Sequence, residues 1–227
     1  MIHVIYIIQE FIFFESNYIV SSEKLYVSCE QLMIGSVILA RKVLDSGFFY
    51  QDKSDKYKNY LLGIWRGGTY PGIFCHEFFK YKGLTILHFP IKTEFYTGTD
   101  QVKKKVSVWG IDDIIEVINA EDKLLIIDDV WDRGWSLHTV LHEIRKRARK
   151  NAPEMKTAVV FYKPEKNETE LEPNFYVAKT NRWIIFPHEL EDLTQKEIET
   201  FKHPVFEKML FEENTKSFEE FFVKSMQ

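Results

Sequence analysis

Cysteine is scarce in this 227-residue sequence, with Cys29 and Cys75 the only two, and they show no short pair spacing of the kind that marks a metal clamp. A disulfide scaffold is thereby excluded, and two reduced thiols in a cytoplasmic protein are expected. An excess of one charge is lacking too. Thirty Lys and Arg stand against thirty-four Asp and Glu, a formal net charge of −4, so the chain as a whole carries no electrostatic footprint for nucleic acid. A membrane span is also missing. The longest apolar run, Ile2 to Val20, is broken by His3, Gln9, Glu10 and Glu15, whereas a span needs about 20 nearly uninterrupted apolar residues. That run has neither the basic start nor the small-residue cleavage site of a signal peptide. Two readings of it stay open: an apolar strand or hairpin over Ile2–Phe14, packed on the domain or on a partner subunit, or an upstream extension that adds little to function.

Several familiar motifs are absent. There is no Walker loop and no GxGxxG fingerprint, and His76-Glu77 lacks the following His of a zinc protease. His138 and His142 are four apart on one helix face, but without a third ligand they make a poor zinc site. No internal repeat, linker or low-complexity tract interrupts the chain.

What is present is ordinary in amount and informative in order. Hydrophobic residues make up 45% and charged residues 28%, values of a globular protein whose length suits one α/β domain, with or without a small appendage. With 19 Phe and 11 Tyr the core should be bulky. Ser28 with Gln31 forms a capping-box pattern before a helical stretch that Gly47 ends. Tyr60–Trp65 has strand length, and Pro71 opens a helix running to Gly83. Thr85–Ile91 is a β-branched strand, Lys92–Ser107 a polar loop, and Asp112–Ala120 a short helix with acids at its favoured start. Lys123–Ile127 is a buried-strand candidate, Ser136–Arg149 a helix, and Thr157–Tyr162, Asn174–Ala178 and Trp183–Phe186 complete the strands. Thr194 with Glu197 is a second capping box, opening a helical tail. Strand–helix alternation with wholly apolar strands predicts an α/β fold with a mostly parallel, doubly wound sheet flanked by helices. One domain over 1–227 is expected, with an apolar extension at 1–23, a core over 24–190 and C-terminal helices over 191–227.

The segment Leu124-Leu125-Ile126-Ile127-Asp128-Asp129-Val130-Trp131-Asp132-Arg133-Gly134-Trp135-Ser136 carries the chemistry. An apolar strand ends in two carboxylates, a third follows three residues on, and a Gly-containing turn leads into a helix. Open α/β sheets bind ligands at the C-terminal ends of their strands. The backbone N–H groups of the turn and the helix N-terminus suit a phosphate, and Ser136 can add a hydroxyl. The adjacent carboxylates suit ribose hydroxyls or hydrated Mg²⁺. The rival reading is an ordinary acidic loop at a strand end.

This segment resembles the phosphoribosyl-pyrophosphate (PRPP) motif of the type I phosphoribosyltransferases. Asp128 and Asp129 match its acid pair, Asp132 its later Asp, Gly134 its glycine and Ser136 its final hydroxyl. Arg133 stands where a Thr is usual, and Trp135 is bulky for the variable position. Upstream, Ile64-Trp65-Arg66-Gly67-Gly68 lies where the family places its pyrophosphate loop, and the resemblance implies a cis Trp65–Arg66 peptide. Downstream, Phe161-Tyr162-Lys163-Pro164 is followed by Trp183-Ile184-Ile185-Phe186-Pro187-His188-Glu189. That order is similar to the purine phosphoribosyltransferases of the hypoxanthine, guanine and xanthine group.

The resemblance spans roughly residues 24–190 and implies the following roles. Arg66, Gly67, Asp128, Asp129, Asp132, Arg133, Gly134, Trp135 and Ser136 bind PRPP. Lys163 donates to the purine 6-oxo group, Trp183 stacks on the base, Ile184 offers backbone contacts, and Glu189 follows as the acid. Mg²⁺ is the cofactor, held by Asp128, Asp129 and Glu189, and Asp132 is the general base. Lys92–Ser107, with Tyr96, Gly98 and Lys103 to Lys105, fits a mobile hood over the site beside a small base-binding hood. A solvated loop without catalytic duty is its rival reading. The substrates implied are PRPP and a purine base, in a homodimer or homotetramer, with no nucleic-acid or membrane partner. Two other functions stay open: a PRPP-sensing module without turnover, and a transferase for xanthine or a non-purine acceptor.

Overall fold

The computed structural model describes residues 23–51, 56–96 and 105–211. The apolar run of 2–20 and residues 97–104 of the expected hood loop lie outside the described residues. The described residues fall into two compact units, one within Ser28–Asn181 and one drawn from residues 23–27 and 182–211.

The larger unit is built on a six-stranded sheet. Its strands are β2 (Asn59–Trp65), β3 (Ile86–Tyr96), β4 (Lys105–Trp109), β5 (Lys123–Trp131), β6 (Glu154–Tyr162) and β7 (Phe175–Lys179), in the order β4-β3-β2-β5-β6-β7. Every neighbouring pair is parallel except β3 with β4. The two central strands read Tyr-Leu-Leu-Gly-Ile and Leu-Leu-Ile-Ile because both faces of a parallel sheet are covered. Alternate side chains serve opposite faces. Tyr60, Leu62 and Ile64 join Leu124 and Ile126 in one core cluster, closed by Ile111 and Ile114 and by Leu137, Val140, Leu141 and Ile144. Those residues come from α3 (Asp112–Val117) and α4 (Trp135–Ala148) and their approaches.

The remaining helices of this unit are α1 (Cys29–Asp45) and α2 (Thr69–Tyr81). The buried Cys75 thiol donates to Ser36 O at 3.3 Å, linking the two. Gly35 lets α1 sit close against the sheet, since a Cβ there would come within 2.7 Å of Val160 Cγ1. The Ser28–Gln31 capping box forms as expected at the start of α1.

The smaller unit contains β1 (Lys24–Tyr26) paired in parallel with β8 (Trp183–Ile185), followed by α5 (Gln195–Phe201) and α6 (Pro204–Phe211). Thr194 caps α5 reciprocally with Glu197. Tyr26 stacks on Phe201 with ring centroids 3.8 Å apart. Glu197 Oε1 accepts from both Lys24 Nζ and Tyr26 Oη at 2.5 Å.

Two strands, β3 and β5, run well past the ends that the sequence reading gives them. The polar stretch expected as a loop over 92–107 is strand at both ends, because β3 runs on to Tyr96 and pairs with β4 as an antiparallel hairpin. Past Lys92 β3 has run beyond the end of β2 and pairs with β4 alone, and such a two-stranded extension tolerates Lys92 and Glu94, so hydrophobic patterning understates it. Likewise β5 continues through the acid pair to Trp131 rather than stopping at Ile127. Its parallel pairing with β6 holds Asp128 opposite Val159 and Trp131 opposite Tyr162.

Candidate active site

The C-terminal ends of β2, β5 and β6 bring three of the sequence segments together. β2 delivers Trp65 and Arg66, joined by a cis peptide, and then Gly67 and Gly68 at the start of α2. Gly68 N–H donates to Ile64 O at 2.8 Å and Thr69 N–H to Arg66 O at 3.2 Å, folding the segment into a tight turn. Both glycines are required by contact. A Cβ on Gly67 would stand 2.3 Å from Asp129 Oδ2, and one on Gly68 would stand 2.3 Å from Ile127 O and 2.9 Å from Asp128 Cα. The expected pyrophosphate loop is therefore packed directly on the acid pair.

Asp128 and Asp129 are successive residues of β5, and their carboxyl groups interact directly. Asp129 is buried, whereas Asp128 keeps some solvent exposure although protein atoms crowd its carboxyl. Desolvation, reinforced by the neighbouring Asp129 carboxylate, pushes the Asp128 carboxyl well above the usual carboxylate range. Asp129 N–H donates to Asp128 Oδ1 at 3.0 Å. Such a pair gains from any cation or hydroxyl donor that arrives beside it.

Asp132 follows β5 and Lys163 follows β6, one step beyond the paired strand ends Trp131 and Tyr162. Lys163 Nζ donates to Asp132 Oδ2 at 2.9 Å. The lysine side chain is 6% exposed and the aspartate 39%, so the ammonium is held inside while the carboxylate reaches solvent. An ammonium has three donors, and this bond uses one.

Between them the turn Arg133–Ser136 starts α4. Gly134 has φ 84°, and the N-terminus of the helix has no side-chain cap. The first N–H groups of a 14-residue helix thus lack an intrahelical acceptor and a cap, which is the arrangement that receives a phosphate. A Cβ on Gly134 would meet Trp131 Nε1 at 2.5 Å, Asn167 Oδ1 at 2.7 Å and Thr169 Oγ1 at 2.7 Å. The residues after β6 therefore press against this turn. The sequence reading did not single out Asn167, Glu168 or Thr169, and no local pattern marks them.

The other expected base contacts belong to the smaller unit. Trp183 is 62% exposed, Ile184 is buried, and Glu189 Oε2 accepts from Phe186 N–H at 3.0 Å. Among the described residues no three His, Cys, Asp or Glu side chains cluster as a metal shell. Mg²⁺ asks for less than that, since it is held by one or two carboxylates with water and phosphate oxygens completing its shell, and the acid pair fits. Also among the described residues, no helix is long and apolar enough to cross a membrane.

Comparison with known proteins agrees with this fold. A purine phosphoribosyltransferase from Pyrococcus horikoshii Ot3 superposes with a TM-score of 0.56 at 25% identity, covering 76% of this chain and 98% of the other. A hypothetical protein from Neisseria gonorrhoeae with bound ppGpp gives 0.55 at 19% identity, covering 75% and 91%. A hypoxanthine phosphoribosyltransferase from Trypanosoma cruzi gives 0.55 at 15%, covering 72% and 83%. The last two likenesses speak for the fold alone. No curated protein matches the sequence significantly. The model of the phosphoribosyl transferase domain matches residues 39–195, from α1 past the acid pair and beyond β8, and the chain belongs to that family.

Proposed function

We propose that the protein transfers the 5-phosphoribosyl group of PRPP to N9 of a 6-oxopurine, hypoxanthine or guanine, giving the nucleoside 5′-monophosphate and pyrophosphate. The observation that carries this reading is the buried Lys163 ammonium paired with Asp132 beside the acid pair. A donor-only lysine suits an oxo acceptor and disfavours the amino group of adenine at the same place. Because one ammonium can donate twice, Lys163 can keep Asp132 and still reach a carbonyl oxygen.

In the proposed reaction the bond from C1 of the ribose to pyrophosphate breaks with its electron pair on the leaving oxygen. The N9 lone pair forms the new C1–N9 bond, and the proton on N7 passes to Asp132 as general base. The charge that collects on the pyrophosphate is met by Arg66 and the N–H groups around Gly67. The 5′-phosphate is received at the N-terminus of α4 by Arg133, Gly134, Trp135 and Ser136. Asp128 and Asp129 take the ribose hydroxyls, and they would hold Mg²⁺ with Glu189 as the third acid. The metal supplies charge neutralisation of the leaving group. The roles of Trp183 in stacking, of Ile184 in backbone contact and of Glu189 rest on sequence resemblance. We place the protein in the cytoplasm, where free thiols such as Cys29 and Cys75 persist, as a homodimer or homotetramer.

The test is a panel of hypoxanthine, guanine, xanthine, adenine and pyrimidines with PRPP and Mg²⁺. Preference for hypoxanthine and guanine is expected. Tight PRPP binding without turnover of any base would instead indicate a sensing module, and preference for another acceptor would replace the substrate assignment.

A further inference from the structure

The segment following β6 is bonded to the end of β5 and to the turn after it. Asn167 Oδ1 accepts from Trp131 Nε1 at 3.1 Å, and Thr169 Oγ1 donates to the same oxygen at 2.9 Å. Glu168 N–H donates to Arg133 O at 3.0 Å. The Glu168 side chain reaches the turn twice more: Oε2 accepts from Trp135 Nε1 at 2.8 Å, and Oε1 lies 3.7 Å from Arg133 Nε. Arg133 and Trp135 are the two positions at which this chain departs from the motif it resembles. Both departures are met by one carboxylate.

We propose that Glu168 is a positioning residue for the phosphate-binding turn. Through the indole of Trp135 and the Nε side of Arg133 it fixes one conformation of Arg133–Ser136 and keeps the Arg133 guanidinium at the edge of the site. The inference rests on the phosphoribosyl-transfer reading above. Three physical points carry it. A carboxylate set beside an anion site for no purpose would repel the anion, yet here its charge is matched by Arg133. The Arg133 contact is made at Nε, so the two terminal guanidinium nitrogens remain for a phosphate. Finally, Arg133 and Glu168 have side-chain exposures of 59% and 40%, and an ion pair so exposed adds little to global stability. What these contacts hold is the local shape of the turn.

The experiment compares E168A, E168Q, W135F and the E168A/W135F double variant in the full chain. Two quantities are read: KM for PRPP against kcat with saturating hypoxanthine, and amide exchange over residues 133–136 without ligand. E168A should raise KM for PRPP roughly tenfold while kcat stays within about threefold. E168Q, whose amide oxygen still accepts from Trp135 Nε1, should recover most of that loss. W135F keeps the ring and loses the donor, so it should repeat E168A, and the double variant should be no worse than either single one. Amide exchange should quicken in E168A and W135F alike.

Unchanged or tighter PRPP binding in E168A, which removal of a negative charge alone would produce, overturns the assignment. So does a loss confined to the melting temperature. If the unsubstituted protein turns over no base at all, it is the transferase reading that fails, and the ligand-free exchange still decides on Glu168.

Discussion

Lys163 Nζ and Asp132 Oδ2 stand 2.9 Å apart across the register of two parallel strands, joining the residue proposed to read the purine to the residue proposed to take its proton. Because β5 and β6 pair Trp131 with Tyr162, the next residue of each strand emerges beside the other. The two residues proposed for these roles are thereby one hydrogen bond apart.

The pair predicts two distinct failures. Lys163→Ala removes a charge-assisted donor worth about 1.5–3 kcal/mol, so kcat/KM for hypoxanthine and guanine should fall roughly ten- to a hundredfold while adenine loses little. Asp132→Asn keeps the shape and should lower kcat by about 10²–10⁴-fold with PRPP binding retained. Equal losses for adenine and hypoxanthine in the lysine variant would make Lys163 structural.

Gly67 and Gly68 predict a graded response to a single methyl group. Gly68→Ala meets backbone at Ile127 and Asp128, which cannot rotate away, so about 1–3 kcal/mol of stability should be lost by overpacking. For a chain of this size that is a fall of about 2–4 °C in Tm per kcal/mol. Gly67→Ala meets only the carboxylate of Asp129, so its Tm should fall less while PRPP binding suffers. Thermal melts with and without PRPP and Mg²⁺ separate the two, and identical behaviour would contradict the packing argument.

Trp183 carries the proposed stacking role. Base stacking is worth about 1–3 kcal/mol and is indifferent to the edge of the base. Trp183→Ala should therefore weaken every accepted base similarly, and Trp183→Phe should recover much of the activity. Kinetics with hypoxanthine and guanine check this. A loss restricted to one of them would point to edge recognition instead.

Glu197 predicts a pH dependence. Its bonds from Lys24, then Tyr26 and the Thr194 N–H, hold its carboxyl at about 2, against an ordinary value near 4.5. A depressed carboxylate favours the folded state above its unfolded value, and the advantage is lost as pH falls toward the folded one. Stability relative to Glu197→Gln should thus be greatest at neutral pH and shrink from about pH 4.5 down to about pH 2. Urea melts of both proteins across that range provide the measurement, and a constant difference would remove the linkage.

Local signals in the sequence recovered much of this architecture. The two capping boxes form as written, because each involves residues three apart. The acid pair, the Arg-Gly-Gly turn and the lysine were legible for the same reason, each being a short run at a strand end. Long-range consequences were not legible. The ion pair between Lys163 and Asp132 joins residues 31 apart, and the contact between Trp135 and Glu168 spans 33. Both follow from strand register, which single-segment periodicity does not contain. The hairpin formed by β3 and β4 was hidden by the charges it carries where β3 has run past the end of β2.

The pairing of β1 with β8 has a consequence for the order in which the protein forms on the ribosome. Lys24 and its partner Glu197 are 173 positions apart, and the whole of Ser28–Asn181 is translated between them. That intervening stretch is contiguous and owns its own sheet, so it can fold as a unit while β1 still waits for its neighbour. A released chain ending at Asn181 should already resist protease over Ser28–Asn181, with Lys24–Tyr26 protected only in chains that extend through α5. Early protection of β1 would contradict this order. The first strand of the described chain would then be among the last to find its place.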